Sequence, residues 1–109
     1  MFSDKMTLEH FRATLAQHEV PPGLSRGLRA MWEDATGHWD AAHSIAQEIE
    51  DRTGSWIHAY LHRKEGDLGN AGYWYRRAGQ PIAHDTLDEE WDRIVLYLLG
   101  AGTAVLDDE

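Results

Sequence analysis

The run WIHAYLHRKEGDLGNAGYWYRRA, Trp56 to Ala78, decides the fold. It holds two of the five tryptophans, three of the four tyrosines and two of the seven histidines. Trp56, Ile57, Tyr60 and Leu61 predict a helix from Trp56 to Glu65. Gly66 ends it, and Asp67 caps a second helix that reaches about Ala78, with Leu68, Ala71, Trp74, Tyr75 and Ala78 along it. Gly79-Gln80-Pro81 stops that helix. At helical spacing Tyr73, Trp74 and Tyr75 point three ways, so Trp74 is expected in the core with Tyr73 and Tyr75 flanking it.

Outward from this run the same grammar continues. Thr7 reads as an N-cap for a helix over 7–20, with Leu8, Phe11, Leu15 and Val20 on one face and His18 near its end, before Pro21-Pro22-Gly23. Leu24 to Ala35 is a second helix carrying Leu28, Met31 and Trp32, closed by Thr36-Gly37. A third runs from about His38 to Asp51 with Trp39, Ala42, Ile45, Ala46 and Ile49 as its apolar face, and Asp51 to Ser55 reads as a short loop. After the Trp56–Ala78 pair, Thr86 and Glu89 match a capping box for a sixth helix over 86–99. Gly100 to Gly102 is expected to end it, and Asp107-Asp108-Glu109 reads as a solvated tail after a loose start at 1–6. No period-2 alternation is sustained anywhere. The expectation is one all-α domain of about six helices.

Bulk properties narrow the function. At 109 residues and 42% hydrophobic content the chain can bury one core. Without cysteine there are no disulfides, thiolate metal sites or cysteine nucleophile, which fits a reducing compartment. No apolar run approaches the roughly 18 residues of a membrane span, and MFSDKMTLEHF lacks the features of a signal peptide. A cytoplasmic protein is expected. The net charge of −9 argues against nucleic acid and anionic membranes as partners. The charge is uneven, however: residues Arg52 to Arg77 carry a balance of +3, leaving −12 for the rest.

The chain also repeats itself. Segments 24–52 and 53–81, offset by 29 positions, align Ala30 with Ala59, Gly37 with Gly66 and Ala42 with Ala71. Each unit is helix, glycine turn, helix. Gly66-Asp67-Leu68, Ala71 and Trp74-Tyr75-Arg76-Arg77-Ala78 resemble the second half of a tetratricopeptide or Sel1-like repeat, and Gly37, Trp39, Ala42, Ile45 and Ile49 resemble a weaker copy. Trp56–Ala78 is also similar to stretches of small uncharacterised bacterial proteins, a likeness that carries no activity. The offset of 29 is shorter than the repeat length of about 34 in those families. The resemblance implies stacked antiparallel helical hairpins, with 7–20 and 86–99 as capping helices. It also implies a surface for a peptide, a protein partner or a second copy of the chain.

Three functions are expected from the side chains. The first is a non-catalytic interaction module with an aromatic- and histidine-lined groove, using His58, His62, Tyr73, Arg76 and Arg77; Trp56, Tyr60 and Tyr73 would then form an exposed patch. The second is a metal site. His58 and His62 share a helix face, and in an antiparallel hairpin turning at Asp51, positions summing to about 101 face each other. That pairs His43 with His58, and Trp39 or Asp40 with His62. Three imidazoles, His43, His58 and His62, converging with the Asp40 carboxylate, suit zinc or a similar divalent ion, the one cofactor this chain suggests. The plainer alternative is histidines that hydrogen-bond between helices or line a groove. The residues between His58 and His62 do not form HExxH, so no general base is built in. The third function is binding of a small anion by Arg63, Arg76 and Arg77. No catalytic residue is expected: the serines lack a GxSxG context, and the carboxylates Glu48, Glu50, Asp51, Glu89, Glu90 and Asp92 fall on expected solvent faces.

Overall fold

A computed structural model describes residues 6–104. The expectations for residues 1–5 and for the tail at 107–109 lie outside the described residues. Six helices follow in order: α1 (Leu8–Ala16), α2 (Arg26–Ala35), α3 (Trp39–Glu48), α4 (Arg52–Lys64), α5 (Leu68–Ala78) and α6 (Leu87–Ala104). No strand occurs among the described residues. The fold is all-α, as the patterning implies. None of these helices is long and apolar enough to cross a membrane.

The two glycine turns are the same object. Gly37 and Gly66 take left-handed φ angles of 92° and 91°. In the first, the N–H of Gly37 donates to Asp34 O and that of His38 to Glu33 O; in the second, Gly66 donates to Arg63 O and Asp67 to His62 O. Both use up carbonyls that a helix end otherwise leaves open. Ala30, Ala42, Ala59 and Ala71, the small residues matched across the two units, are all buried, so α2 packs against α3 and α4 against α5. α3 also packs on α4, α6 crosses α2 and α4, and α1 lies on α6.

Several helix ends differ from the sequence expectation. α1 stops at Ala16 rather than Val20, and His18 sits beyond it at φ 54°. Its N–H bonds Leu15 O and the next N–H bonds Thr14 O, so His18 occupies the left-handed place usually taken by glycine. α2 starts at Arg26, with Ser25 as its cap, and α3 spans only Trp39–Glu48. The expected loop at Asp51 to Ser55 is the first turn of α4. Asp51 caps it by accepting from the N–H groups of Thr53 and Gly54. Gly54 reads as a chain breaker, yet it is there for clearance: a Cβ on it would lie 2.0 Å from Ile49 O. The capping box at Thr86 and Glu89 forms reciprocally at 3.0 Å in both directions. Gly100 to Gly102 does not stop α6, which continues to Ala104.

Burial corrects four side-chain expectations. Trp56 and Tyr60 are core residues, not parts of an exposed patch. Tyr75 is buried, whereas Trp74 only packs partly against the core. Leu68, expected on the apolar face of α5, is 69% exposed. The largest correction is Glu90, which is 0% exposed instead of solvated. It accepts from Tyr75 Oη (2.7 Å), Trp56 Nε1 (3.2 Å) and Arg63 Nη1 (2.8 Å), tying α6 to α5 and α4. Arg63 reaches on to the backbone oxygen of Asp85. Asp34, also buried, accepts from Tyr60 Oη (3.1 Å) and Lys64 Nζ (2.9 Å). Burial first, and the adjacent carboxylate next, raise both phenols above their usual range, so they stay protonated and donate.

This packing sets the sign of three substitutions. Gly54→Ala should destabilise by about 1–3 kcal/mol through overpacking. Gly69→Ala, where an added Cβ meets nothing within 4 Å, should stabilise by about 0.5–1 kcal/mol. Urea unfolding of both variants checks the signs. Glu90→Ala should lower the unfolding free energy by about 3–5 kcal/mol in the same assay, because it strands Arg63, Tyr75 and Trp56 without their acceptor.

Candidate functional site: a three-histidine cluster and an adjoining cleft

The histidine cluster is built by helical spacing on two antiparallel helices. On α3, Trp39 and His43 are four apart and stack at 4.9 Å between ring centroids. On α4, His58 and His62 are four apart and stack at the same distance. The hairpin register places His43 edge-on to His58 at 4.5 Å and to His62 at 5.2 Å, with Trp39 6.0 Å from His62. Both pairings expected from the sequence, 43 with 58 and 39 with 62, are therefore present. One ring nitrogen from each of His43, His58 and His62 lies within 4.8 Å of the others, whereas Asp40, expected beside them, is exposed and does not join the group. The Trp39 indole N–H donates to Leu61 O at 2.9 Å, which locks α3 against α4 at this level.

Each imidazole has a different environment. His62 Nδ1 meets Glu65 Oε2 at 2.7 Å, leaving its Nε2 available. His43 Nδ1 lies 3.3 Å from Gln47 Nε2, again leaving Nε2. His58 is 6% exposed, and neither of its ring nitrogens has a hydrogen-bond partner among the described residues. Its ring lies flat against Trp74 of α5, centroids 3.9 Å apart and 12° from parallel. Desolvation, followed by the neighbouring His43 and His62, lowers its pKa to about 4. Desolvation and His62 lower that of His43 as well. Near neutral pH His58 is thus an uncharged imidazole, the form that binds metal.

On the other side of His58 a cleft of about 420 Å³ opens between α3, α4 and α5. Ser55, His58, Trp74 and Arg77 line it, with Gln47 and Glu50 on the α3 side. The Arg77 guanidinium lies over Trp74 (5.3 Å) and Tyr73 (5.9 Å) and donates to Tyr73 Oη at 3.3 Å. Among the residues expected for ligand binding, His58 and Arg77 therefore share one cleft. Tyr73, 44% exposed, props Arg77 from outside, and His62 lies behind His58 in the cluster. Arg76 is exposed and does not line the cleft. Arg63 does not join them either, because Glu90 and Asp85 hold it inside the fold. The anion site expected from Arg63, Arg76 and Arg77 together does not assemble. Ser55 and Glu65 escaped the sequence reading. Glu65 was discoverable from its i+3 spacing to His62, whereas Ser55 had been placed in a loop.

Comparison with known proteins finds no family model, no curated protein and no solved structure that matches the chain. Functional inference therefore rests on the site itself.

The depressed pKa of His58 sets a pH dependence. The unfolded chain takes up a proton near 6.5 and the folded chain only near 4, so the unfolded state binds more protons between them. Stability should be flat above that window and fall as pH drops from 6.5 to about 4. His58→Phe, which keeps an aromatic ring against Trp74, should reduce that slope. Urea unfolding across the window measures it, and an unchanged slope in the variant would show that other groups set it.

Proposed function

We propose that this chain binds a divalent metal ion, zinc in the first instance, through His43, His58 and His62. The observation that supports this reading most is the convergence of three ring nitrogens within 4.8 Å of one another, one of them on a buried histidine with no hydrogen-bond partner. Burying an unpaired imidazole has a free-energy cost, and a metal bond at that nitrogen removes it. In a tetrahedral zinc site with Zn–N near 2.0–2.1 Å, ligand nitrogens stand about 3.4 Å apart. Binding would draw the three nitrogens inward from their present spacing by rotation of the imidazole side chains. His62 also has the carboxylate partner, Glu65, that orients metal-bound imidazoles and raises their basicity. Three protein ligands leave a fourth position for water or a ligand.

No reaction is assigned to this site. The HExxH general base is missing, and the three carboxylates buried among the described residues are bonded to other groups: Glu90 to Tyr75, Trp56 and Arg63, Asp34 to Tyr60 and Lys64, and Glu33 to Arg29 and His38. The interaction-module reading has less surface to work with. With Trp56 and Tyr60 inside the core, the expected aromatic patch reduces to Tyr73 beside Arg77. Metal carriage, metal sensing or metal-dependent stability in the cytoplasm is the reading we keep, and stacked hairpins of the tetratricopeptide or Sel1-like type remain our proposal for its architecture.

Elemental analysis of untagged protein after zinc loading and desalting tests the reading. We expect one zinc per chain, lost in His58→Ala and retained in His38→Ala, which alters a histidine outside the cluster. Zinc at about 100 times its dissociation constant should add about 2.7 kcal/mol of stability. Glu65→Gln should weaken binding by about 10–100-fold. No retained metal, with no thermal shift from zinc, nickel or manganese, would remove the proposal.

A further inference from the structure

We infer that the cleft between α3, α4 and α5 is a binding site for a small monocarboxylate with a flat apolar body, the carboxylate meeting Arg77 and the body lying against Trp74. The inference goes beyond metal binding and stands without it, since the ligand lies on the cleft side of His58 and needs no ion.

Three donors carry the argument. Ser55 is only 7% exposed and lines the cleft, yet its hydroxyl has no hydrogen-bond partner among the described residues. Its backbone N–H is already used by Asp51 O. A hydroxyl so buried is expected to be bonded, and the cleft is the side from which a partner can reach it. Trp74 supplies the second donor. The indole N–H groups of Trp32, Trp39, Trp56 and Trp91 donate to Thr14, Leu61, Glu90 and Met31 respectively. That of Trp74, on the cleft wall, has no acceptor among the described residues. Arg77 is the third. It has no carboxylate partner among the described residues, and it is held in place by the two aromatic rings beneath it and by Tyr73 Oη. Stacking restrains the guanidinium and leaves its edge free for a planar, two-oxygen acceptor.

The charge of the lining selects among anions. Arg77 is the cation of the cleft and Glu50 the anion, so the wall is near neutral. A dianion such as phosphate would be repelled by Glu50 as it met Arg77, whereas a monocarboxylate matches one guanidinium. A basic group elsewhere on the ligand would gain from Glu50, which extends the class to aromatic amino acids. The volume of about 420 Å³ lies toward the low end of the range for small-molecule sites and suits a body of one or two rings. The aromatic part of the wall is the Trp74 and His58 pair, which are stacked on each other, so a flat body packs against their ring edges.

Proton–nitrogen NMR titration of the full chain with benzoate, indole-3-acetate and L-tryptophan tests this, using benzylamine and inorganic phosphate as controls. It is run both metal-free in chelator and zinc-loaded. Expected are saturable shifts of the Trp74 indole N–H and of the Ser55 and Arg77 amides with at least one carboxylate. Benzylamine should give none, and phosphate should bind at least about tenfold more weakly. Arg77→Gln should weaken carboxylate binding by about tenfold or more, Ser55→Ala by a smaller factor, and Arg76→Gln not at all. Saturable shifts in chelator support the cleft site whatever the metal result, so its failure is distinguishable from failure of the histidine cluster. Absence of saturable shifts with all three carboxylates overturns the inference. So does equal affinity in Arg77→Gln, or equal binding of benzylamine.

Discussion

Helix α4 is covered on every side, and the rest of the molecule depends on that. Nine consecutive residues, Gly54 to His62, are buried. A helix buried all round has no solvent face on which to place its polar side chains. Ser55, His58, Tyr60 and His62 must therefore point at neighbouring helices. Tyr60 meets Asp34 of α2, and His62 turns back to Glu65 at its own C-terminus. His58 meets only rings: His43, His62 and Trp74. Ser55 meets no polar partner among the described residues. The polar groups without partners on this helix thus mark its functional candidates, and all of them face α3 and α5.

The flank of α4 that faces α6 is held by a buried carboxylate, with Trp56 also edge-on to Tyr97. Glu90, fully buried on α6, takes donors from Trp56 and Arg63 of α4 and from Tyr75 of α5. Trp91, the next residue, donates to Met31 O of α2. A buried carboxylate is weak evidence of net stability, but its partners must all be in register for it to be satisfied. That requirement fixes how α4 and α5 sit relative to α6, and with them the spacing between His58 and Trp74. The glycine turns act at a shorter range. Gly66 reverses the chain between α4 and α5, and Gly54 lets α4 begin directly against Ile49, the residue that caps the end of α3.

The helix count, the two matched glycine turns, the Thr86 capping box and the pairing of His43 with His58 were legible in the sequence. Each rests on a local rule: a period, a cap, or a register counted from a turn. What was not legible depended on three dimensions. Glu90 sits beside Glu89 and Asp92 in a charged run, and nothing local says that it alone turns toward Tyr75 and Trp56. Tyr75 and Trp74 exchanged their expected roles because α6 covers the Tyr75 face, whereas Trp74 meets His58, Tyr73, Arg77 and the cleft. The loop expected over Asp51 to Ser55 is helix, and Gly54 within it answers to the close approach of Ile49, which no local pattern shows. Ser55 was hidden by the same misplacement, since a serine in a loop is ordinary and a serine in a buried helix without a partner is not.

The central claim is that His43, His58 and His62 hold one metal ion. Anomalous diffraction at the zinc edge from zinc-loaded crystals tests it most directly. The account predicts a single strong peak within about 2.0–2.1 Å of one nitrogen of each of these three imidazoles, with Glu65 still hydrogen-bonded to His62. A peak elsewhere, on the exposed carboxylates or on histidines outside the cluster, or no ordered peak at all, would contradict it.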